Sequence, residues 1–284
     1  MSLFVAIAAG EDQNKSMRLY RPYAAEAAFA QPLTEEILTS AGISPGMRVL
    51  VLGRGIADVA LLVAERVGPC GTVIASHEDP EVVAEARRRA ADECFDRVTF
   101  LAEPFERLWL DALADAVVGR FFLMHESDPA ATIRRAASLV QHGGRIIFQE
   151  WQYDSVLRPA TSDWPNVPLY RQFAKRSVGA LRGRGAHVDM GFRLINTFAE
   201  AGLAVPEVRS EMCVVRGAGS LGYAFFEDEL RGLLHANDAQ EAAFLDGFAQ
   251  RLERETAGAG GHLFLPMQVG AWSRSQAVPV TEPR

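Results

Sequence analysis

Residues 49–58 read Val49-Leu50-Val51-Leu52-Gly53-Arg54-Gly55-Ile56-Ala57-Asp58. The apolar run from Met47 to Leu52 predicts a short buried strand, and Asp58–Val67 carries the spacing of a helix. Between them stand two glycines separated by one residue. Glycine permits a tight turn and a close approach of backbone to a ligand, so a strand that enters a helix through such a pair marks a nucleotide-type turn. The fold class follows from how the rest of the chain is arranged around that turn.

Downstream, Gly71–Ala75, Val98–Leu101, Ala114–Gly119 and Arg145–Gln149 predict further buried strands. Helices are predicted over Pro80–Glu93, with proline in the first turn, and over Pro129–Val140, closed by His142-Gly143-Gly144. Strands alternating with helices imply parallel pairing through right-handed crossovers, hence a doubly wound α/β sheet. Upstream, residues 17–42 are helical in pattern, with Leu33, Ile37 and Leu38 apolar at helix spacing. Beyond residue 150 the pattern predicts helices over Tyr170–Leu181 and Gly191–Ala201, the second capped by Asp189. A strand over Val205–Val215, helices over roughly 220–236 and 239–256, and a last strand over His262–Ser273 follow. The expected organisation is an amino-terminal helical segment (1–42), a core (43–155) and a carboxyl-terminal part (156–284). A helical insertion at about 216–258 would cover the ligand edge as a lid.

The chain has 284 residues and a net charge of −7, which argues against nucleic-acid binding through a basic face. Cys70, Cys94 and Cys213 are widely spaced and form no metal pattern, and a reducing cytoplasm suits them. His187, His235 and His262 have no acid-rich neighbourhood in sequence, so no metal is expected. The opening MSLFVAIAAG lacks a basic leader and is too short to span a bilayer, so neither a signal peptide nor a membrane partner is expected. Apolar faces on the amino-terminal and helical segments point to a homodimer.

Four features together carry a family resemblance. They are Gly53-x-Gly55 after the first strand, His77-Glu78-Asp79-Pro80 after the second, DAVVGRFFLMHESDP at 115–129 and HGGRIIFQEW at 142–151. The chain resembles the class I S-adenosylmethionine-dependent methyltransferases, in particular bacterial enzymes acting on small molecules. The resemblance covers roughly residues 30–150. It implies a Rossmann-like sheet of seven strands with the last antiparallel, and a cofactor lying across the ends of strands one, two and four.

The resemblance also shows what is replaced. Val51 stands where the family has an acid, Ala57 where it has a third glycine, His77 where an acid grips the ribose, and Pro104 where an Asp meets the adenine. Arg54 is added within the loop. Losing the ribose and adenine contacts corresponds to roughly 3–5 kcal/mol, and a guanidinium disfavours a sulfonium cation. Glu78, Glu103 and Asp58 each lie close enough in sequence to restore a contact. S-adenosylmethionine is thus the implied cofactor, while the replaced residues argue against its productive use. The contacts expected for a nucleoside are Gly53, Arg54, Gly55, His77, Glu78, Glu103 and Arg120.

Ligands of open α/β sheets bind beyond the carboxyl ends of the strands. His125 and Glu126 after the fourth strand and Glu150 after the fifth are therefore the candidate acid/base groups. Tyr20, Tyr23 and Trp151 are candidate substrate contacts, and Phe192, Tyr223, Phe225 and Phe226 are further aromatic residues that could line a cavity. The leading expectation is a small-molecule enzyme doing methyl-independent chemistry: cyclisation, isomerisation or elimination. The alternatives are an active methyltransferase and a non-catalytic partner of a related methyltransferase.

Overall fold

A computed structural model describes residues 13–95, 97–157, 167–234 and 239–275, and the first described side chain is that of Ala25. The predicted strands form as β1 (Arg48–Gly53), β2 (Thr72–Ser76), β3 (Val98–Leu101), β4 (Ala114–Arg120) and β5 (Val140–Gln152). Around them lie α1 (Gln13–Ser40), α2 (Ile56–Val67), α3 (Pro80–Asp92) and α4 (Pro129–Ser138). The second half adds α5 (Pro168–Gly183), α6 (Met190–Glu200), β6 (Glu207–Glu211), β7 (Val214–Val215), α7 (Leu221–Leu233), α8 (Ala239–Leu245), α9 (Phe248–Gly258), β8 (Leu263–Phe264) and β9 (Met267–Arg274).

Seven strands pair in the order β3-β2-β1-β4-β5-β9-β6. β1 to β5 run parallel, and β9 runs antiparallel to both β5 and β6. The strand alternation explains the two cores. Val49, Val51 and Val73 face a layer built from α1, α2 and α3, while Leu50, Leu52 and Val117 face a layer that includes α4 and α6. Register places Gly53 opposite Arg120, and Arg120 opposite Gln149, so the carboxyl ends of β1, β4 and β5 meet at one edge.

The turn read from the sequence is glycine for steric reasons. Gly53 has φ +104°, and a Cβ there would lie 2.1 Å from the Arg120 carbonyl oxygen. That carbonyl accepts the Arg54 N–H at 3.0 Å, which holds the loop down on β4. α2 starts at Ile56, earlier than predicted, with Gly55 at φ +62° before it.

Several expectations are corrected. His142-Gly143-Gly144 does not close a helix; α4 ends at Ser138, and the three residues lie in the irregular start of β5. The helix predicted over 239–256 is two helices, broken at Gly247, whose φ is +55°. The final strand also divides: β8 pairs with β7 in a separate ribbon, and Pro266, which has no N–H to donate, stands between β8 and β9. Asp189 precedes α6 but makes no capping bond; its carboxylate lies 3.9 Å from Arg193. Among the described residues no helix is long and apolar enough to cross a membrane.

Candidate functional site

A cavity of about 330 Å³ opens at the sheet edge beyond β1, β2 and β4. That is the low end of the range of roughly 300–1,000 Å³ for small-molecule pockets. β1 supplies Gly53 and Arg54, the end of β2 supplies Ser76, His77 and Glu78, and the turn after β3 supplies Glu103, Pro104 and Phe105. Phe121, Phe122, His125 and Glu126 close it from β4. Phe105 and Phe122 meet edge to face at 5.7 Å and form an apolar wall. The Ser76 hydroxyl donates to the Glu103 carbonyl at 2.6 Å and joins the β2 and β3 ends.

Of the residues predicted from sequence, the structure brings Gly53, Arg54, His77, Glu78, Glu103, His125 and Glu126 to this cavity. The His77 Nδ1 accepts the Asp79 N–H at 3.0 Å, and burial lowers its pKa. Glu126 is half-buried; its carboxylate accepts the Thr132 hydroxyl at 3.0 Å, and burial raises its pKa. His125 stands at the mouth with more than a third of its surface exposed. Surrounding protein, then the guanidinium groups of Arg54 and Arg184, lower its pKa from 6.5 to about 4. The imidazole is therefore neutral at pH 7, and the folded chain takes up this proton at lower pH than the unfolded one. Acidification from about 6.5 towards 4 thus removes stability. An NMR titration of the His125 ring should show a midpoint below pH 5; a midpoint near 6.5 would mean that neither burial nor the arginines act on it.

Four predicted residues, Gly55, Glu150, Trp151 and Arg120, do not line the cavity. Glu150 is fully buried, and it does not line the cavity. One carboxylate oxygen accepts the N–H groups of Phe122 and Leu123 at 2.9 and 2.8 Å, and the other accepts that of Met124 at 3.2 Å. It shapes the turn that carries His125 instead of acting from it. Burial pushes its pKa up to about 8, against the pull of those N–H groups. Phe121 takes a positive φ of 52° to make this turn and stacks on Trp151 at 4.5 Å. Trp151 is correspondingly interior, 1% exposed, with its indole N–H spent on Glu26 at 3.0 Å. Arg120 is buried beneath the glycine loop, where a Cβ on Gly55 would lie 2.6 Å from its guanidinium. Its partner is Asp58, at 3.8 Å, which Arg89 also pairs with. Burial raises Asp58 to about 6, and Arg120 opposes that. Tyr20 and Tyr23 fall on α1, where their side chains lie outside the described residues, and His235 lies outside them altogether. Phe225 and Phe226 are core residues packed on Tyr170, Phe173 and Trp151, whereas Phe192 is exposed. Among the described residues no cluster suited to a metal ion occurs.

The most consequential feature was not predicted. Arg54 is clamped between two buried glutamates. Its Nη2 lies 3.4 Å from Glu229 of α7, and its Nε lies 3.9 Å from Glu26 of α1. Each glutamate is held from its other side: Glu26 by Trp151, and Glu229 by the Tyr153 hydroxyl at 2.8 Å. Burial raises the pKa of Glu229, which the Arg54 charge and the Tyr153 bond oppose. The loop guanidinium is therefore compensated, not the bare positive charge that the sequence suggested. The clamp joins α1, α7, β1 and the residues following β5 across the strand ends.

A methyltransferase-domain family model matches residues 43–182. Aklanonic acid methyltransferase DauC of Streptomyces sp. (strain C5) is 27% identical over 121 residues, which are 42% of this chain and 55% of that protein. The chain spans about half the length of the curated relatives it matches. Among solved structures, a proposed methyltransferase from Bacillus halodurans C-125 superposes with a TM-score of 0.58 at 15% identity, over 86% of this chain and 99% of that one. The (4+2)-cyclase SpnF superposes with a TM-score of 0.54 at 18% identity, over 93% and 94%. At such identities the structural likeness speaks for the fold.

Proposed function

Since the chain belongs to the class I S-adenosylmethionine-dependent methyltransferase family, we propose that it is a small-molecule enzyme whose nucleoside site persists while its chemistry is methyl-independent. The observation that carries this reading is Arg54, a cation held by two glutamates at the end of β1, one of the strand ends across which the family's cofactor lies. The residues fit one half of S-adenosylmethionine. Glu78 and Glu103 stand at the ends of β2 and β3 to take ribose and adenine polar groups, beside the aromatic walls of Phe105 and Phe122. They do not fit the sulfonium half while Arg54 stays in place.

The chemistry then belongs to the chain's own groups. His125 and Glu126 stand together at the cavity. Burial raises the pKa of the Glu126 carboxyl, which makes it the stronger proton acceptor of the two, while the lowered pKa of His125 keeps its imidazole neutral and leaves it to position the substrate by hydrogen bonding. Proton transfer of that kind serves cyclisation, isomerisation or elimination in a shaped apolar site. The neighbouring structures include both a cyclase and a proposed methyltransferase, so the fold is compatible with either outcome and decides neither.

A second reading, an active methyltransferase, draws on the same clamp, because Glu26 and Glu229 supply the negative charge that Val51 no longer does. Mass spectrometry of ligands released by denaturing the freshly purified chain tests the proposal. A nucleoside without the sulfonium charge is the expected passenger. Stoichiometric S-adenosylmethionine, consumed on adding a small-molecule extract with appearance of a methylated product, would favour the second reading.

A further inference from the structure

We infer that Arg54 is a tethered competitor for the cationic group of an incoming nucleoside, and that with Glu26 and Glu229 it sets which charge state the site accepts. The inference rests on the nucleoside site proposed above and adds how that site discriminates. Both glutamates are almost fully buried, at 2% and 4% exposure, and neither is a surface acid that solvent could satisfy. Their outer oxygens are anchored by Trp151 and Tyr153, so the two carboxylates cannot rotate away from the point between them. Trp151, which anchors Glu26, itself packs against Phe121 and Phe225. Two anchored carboxylates in an aromatic setting form a receptor for a cation, and the cation found there belongs to the chain itself.

Arg54 stands 3.4 and 3.9 Å from the two glutamates, beyond the roughly 2.7–2.9 Å of tight charge-assisted bonds. It also projects from the middle of Gly53-x-Gly55 and lines the nucleoside cavity, so the clamp and the cavity share this one side chain. A ligand with a sulfonium at this place meets a guanidinium and two acids already engaged. A tethered group competes at an effective concentration on the order of millimolar or above. An uncharged thioether meets no such opposition. The site should therefore prefer the thioether nucleoside, and the preference should reside in one side chain.

Calorimetry of the full chain with S-adenosylmethionine and S-adenosylhomocysteine, in wild type and variants, tests this. Wild type is expected to bind the sulfonium at least about tenfold more weakly than the thioether, since the incoming cation must displace Arg54 from two glutamates that it already engages. Arg54→Ala should reverse the preference, and Arg54→Lys should keep it. Adding Glu229→Gln to Arg54→Ala should return the two affinities to near equality. Should Arg54→Ala not fold, Glu229→Gln alone decides: with Arg54 less compensated, discrimination against the sulfonium must widen several-fold. An unchanged ratio in either variant, or an equal gain for both ligands in Arg54→Ala, overturns the inference. If wild type already takes both ligands equally, the methyl-independent reading fails. If wild type discriminates and the variants do not alter it, the competitor role alone fails.

Discussion

Gly53→Ala should unfold the chain or cost it more than about 4 kcal/mol, the largest single-residue effect expected here. The reason is geometric. A Cβ at residue 53 would sit 2.1 Å from the Arg120 carbonyl oxygen, 3.0 Å from its carbon and 3.2 Å from its nitrogen. All three atoms are backbone in a central strand, so no side-chain rotation relieves the clash. The φ of +104° adds strain of order 1–3 kcal/mol for any residue with a side chain. Gly46 is the control: its φ is +86°, but nothing lies within 4 Å of a Cβ there. Gly46→Ala should lose only the backbone strain. Urea denaturation of both variants separates the two terms, and a Gly53→Ala midpoint close to that of Gly46→Ala would show that the loop is not pressed onto β4.

Glu150→Ala is the second large effect. It leaves the N–H groups of Phe122, Leu123 and Met124 without their acceptor in a buried place. At about 1–3 kcal/mol for each unsatisfied group, partly relieved by water entering the space, a loss of roughly 3–5 kcal/mol follows. Glu150→Gln keeps one accepting oxygen and should lose less. The pH dependence runs opposite to that of an ion-paired acid. With a folded pKa of about 8 against an ordinary 4.5, the folded chain holds a proton that the unfolded chain has released. Stability therefore falls as pH rises from about 4.5 to 8. The Gln variant should flatten that slope relative to wild type, and an identical slope would mean that Glu150 does not titrate in this window.

The sheet was legible in sequence because parallel strands are buried on both faces and announce themselves as short apolar runs, as Val49–Leu52 and Val73–Ala75 do. The glycine turn was legible because only glycine fits it. The clamp was not, since its acids come from far along the chain: Glu229 lies 175 residues from Arg54. A signal was nevertheless present. Glu26 is on the same helical stripe as Ala30, Leu33 and Ile37, and Glu229 shares one with Phe225, Phe226 and Leu233, so each acid interrupts an apolar face. An acid on a buried stripe needs a partner, and the extra arginine in the glycine loop is that partner. Glu150 was misread for a different reason. Its place at the end of β5 says that it is near the edge, but not whether its carboxylate looks into the cavity or under the β4 turn.

In the proposed reading the Arg54 guanidinium, paired with Glu26 and Glu229, stands where the donor's positive charge would lie. Isothermal titration of wild-type protein with S-adenosylmethionine, repeated with S-adenosylhomocysteine on the same preparation, tests that reading most directly. The clamp requires the thioether to bind at least about tenfold more tightly. Micromolar binding of S-adenosylmethionine with no advantage for the thioether would contradict it.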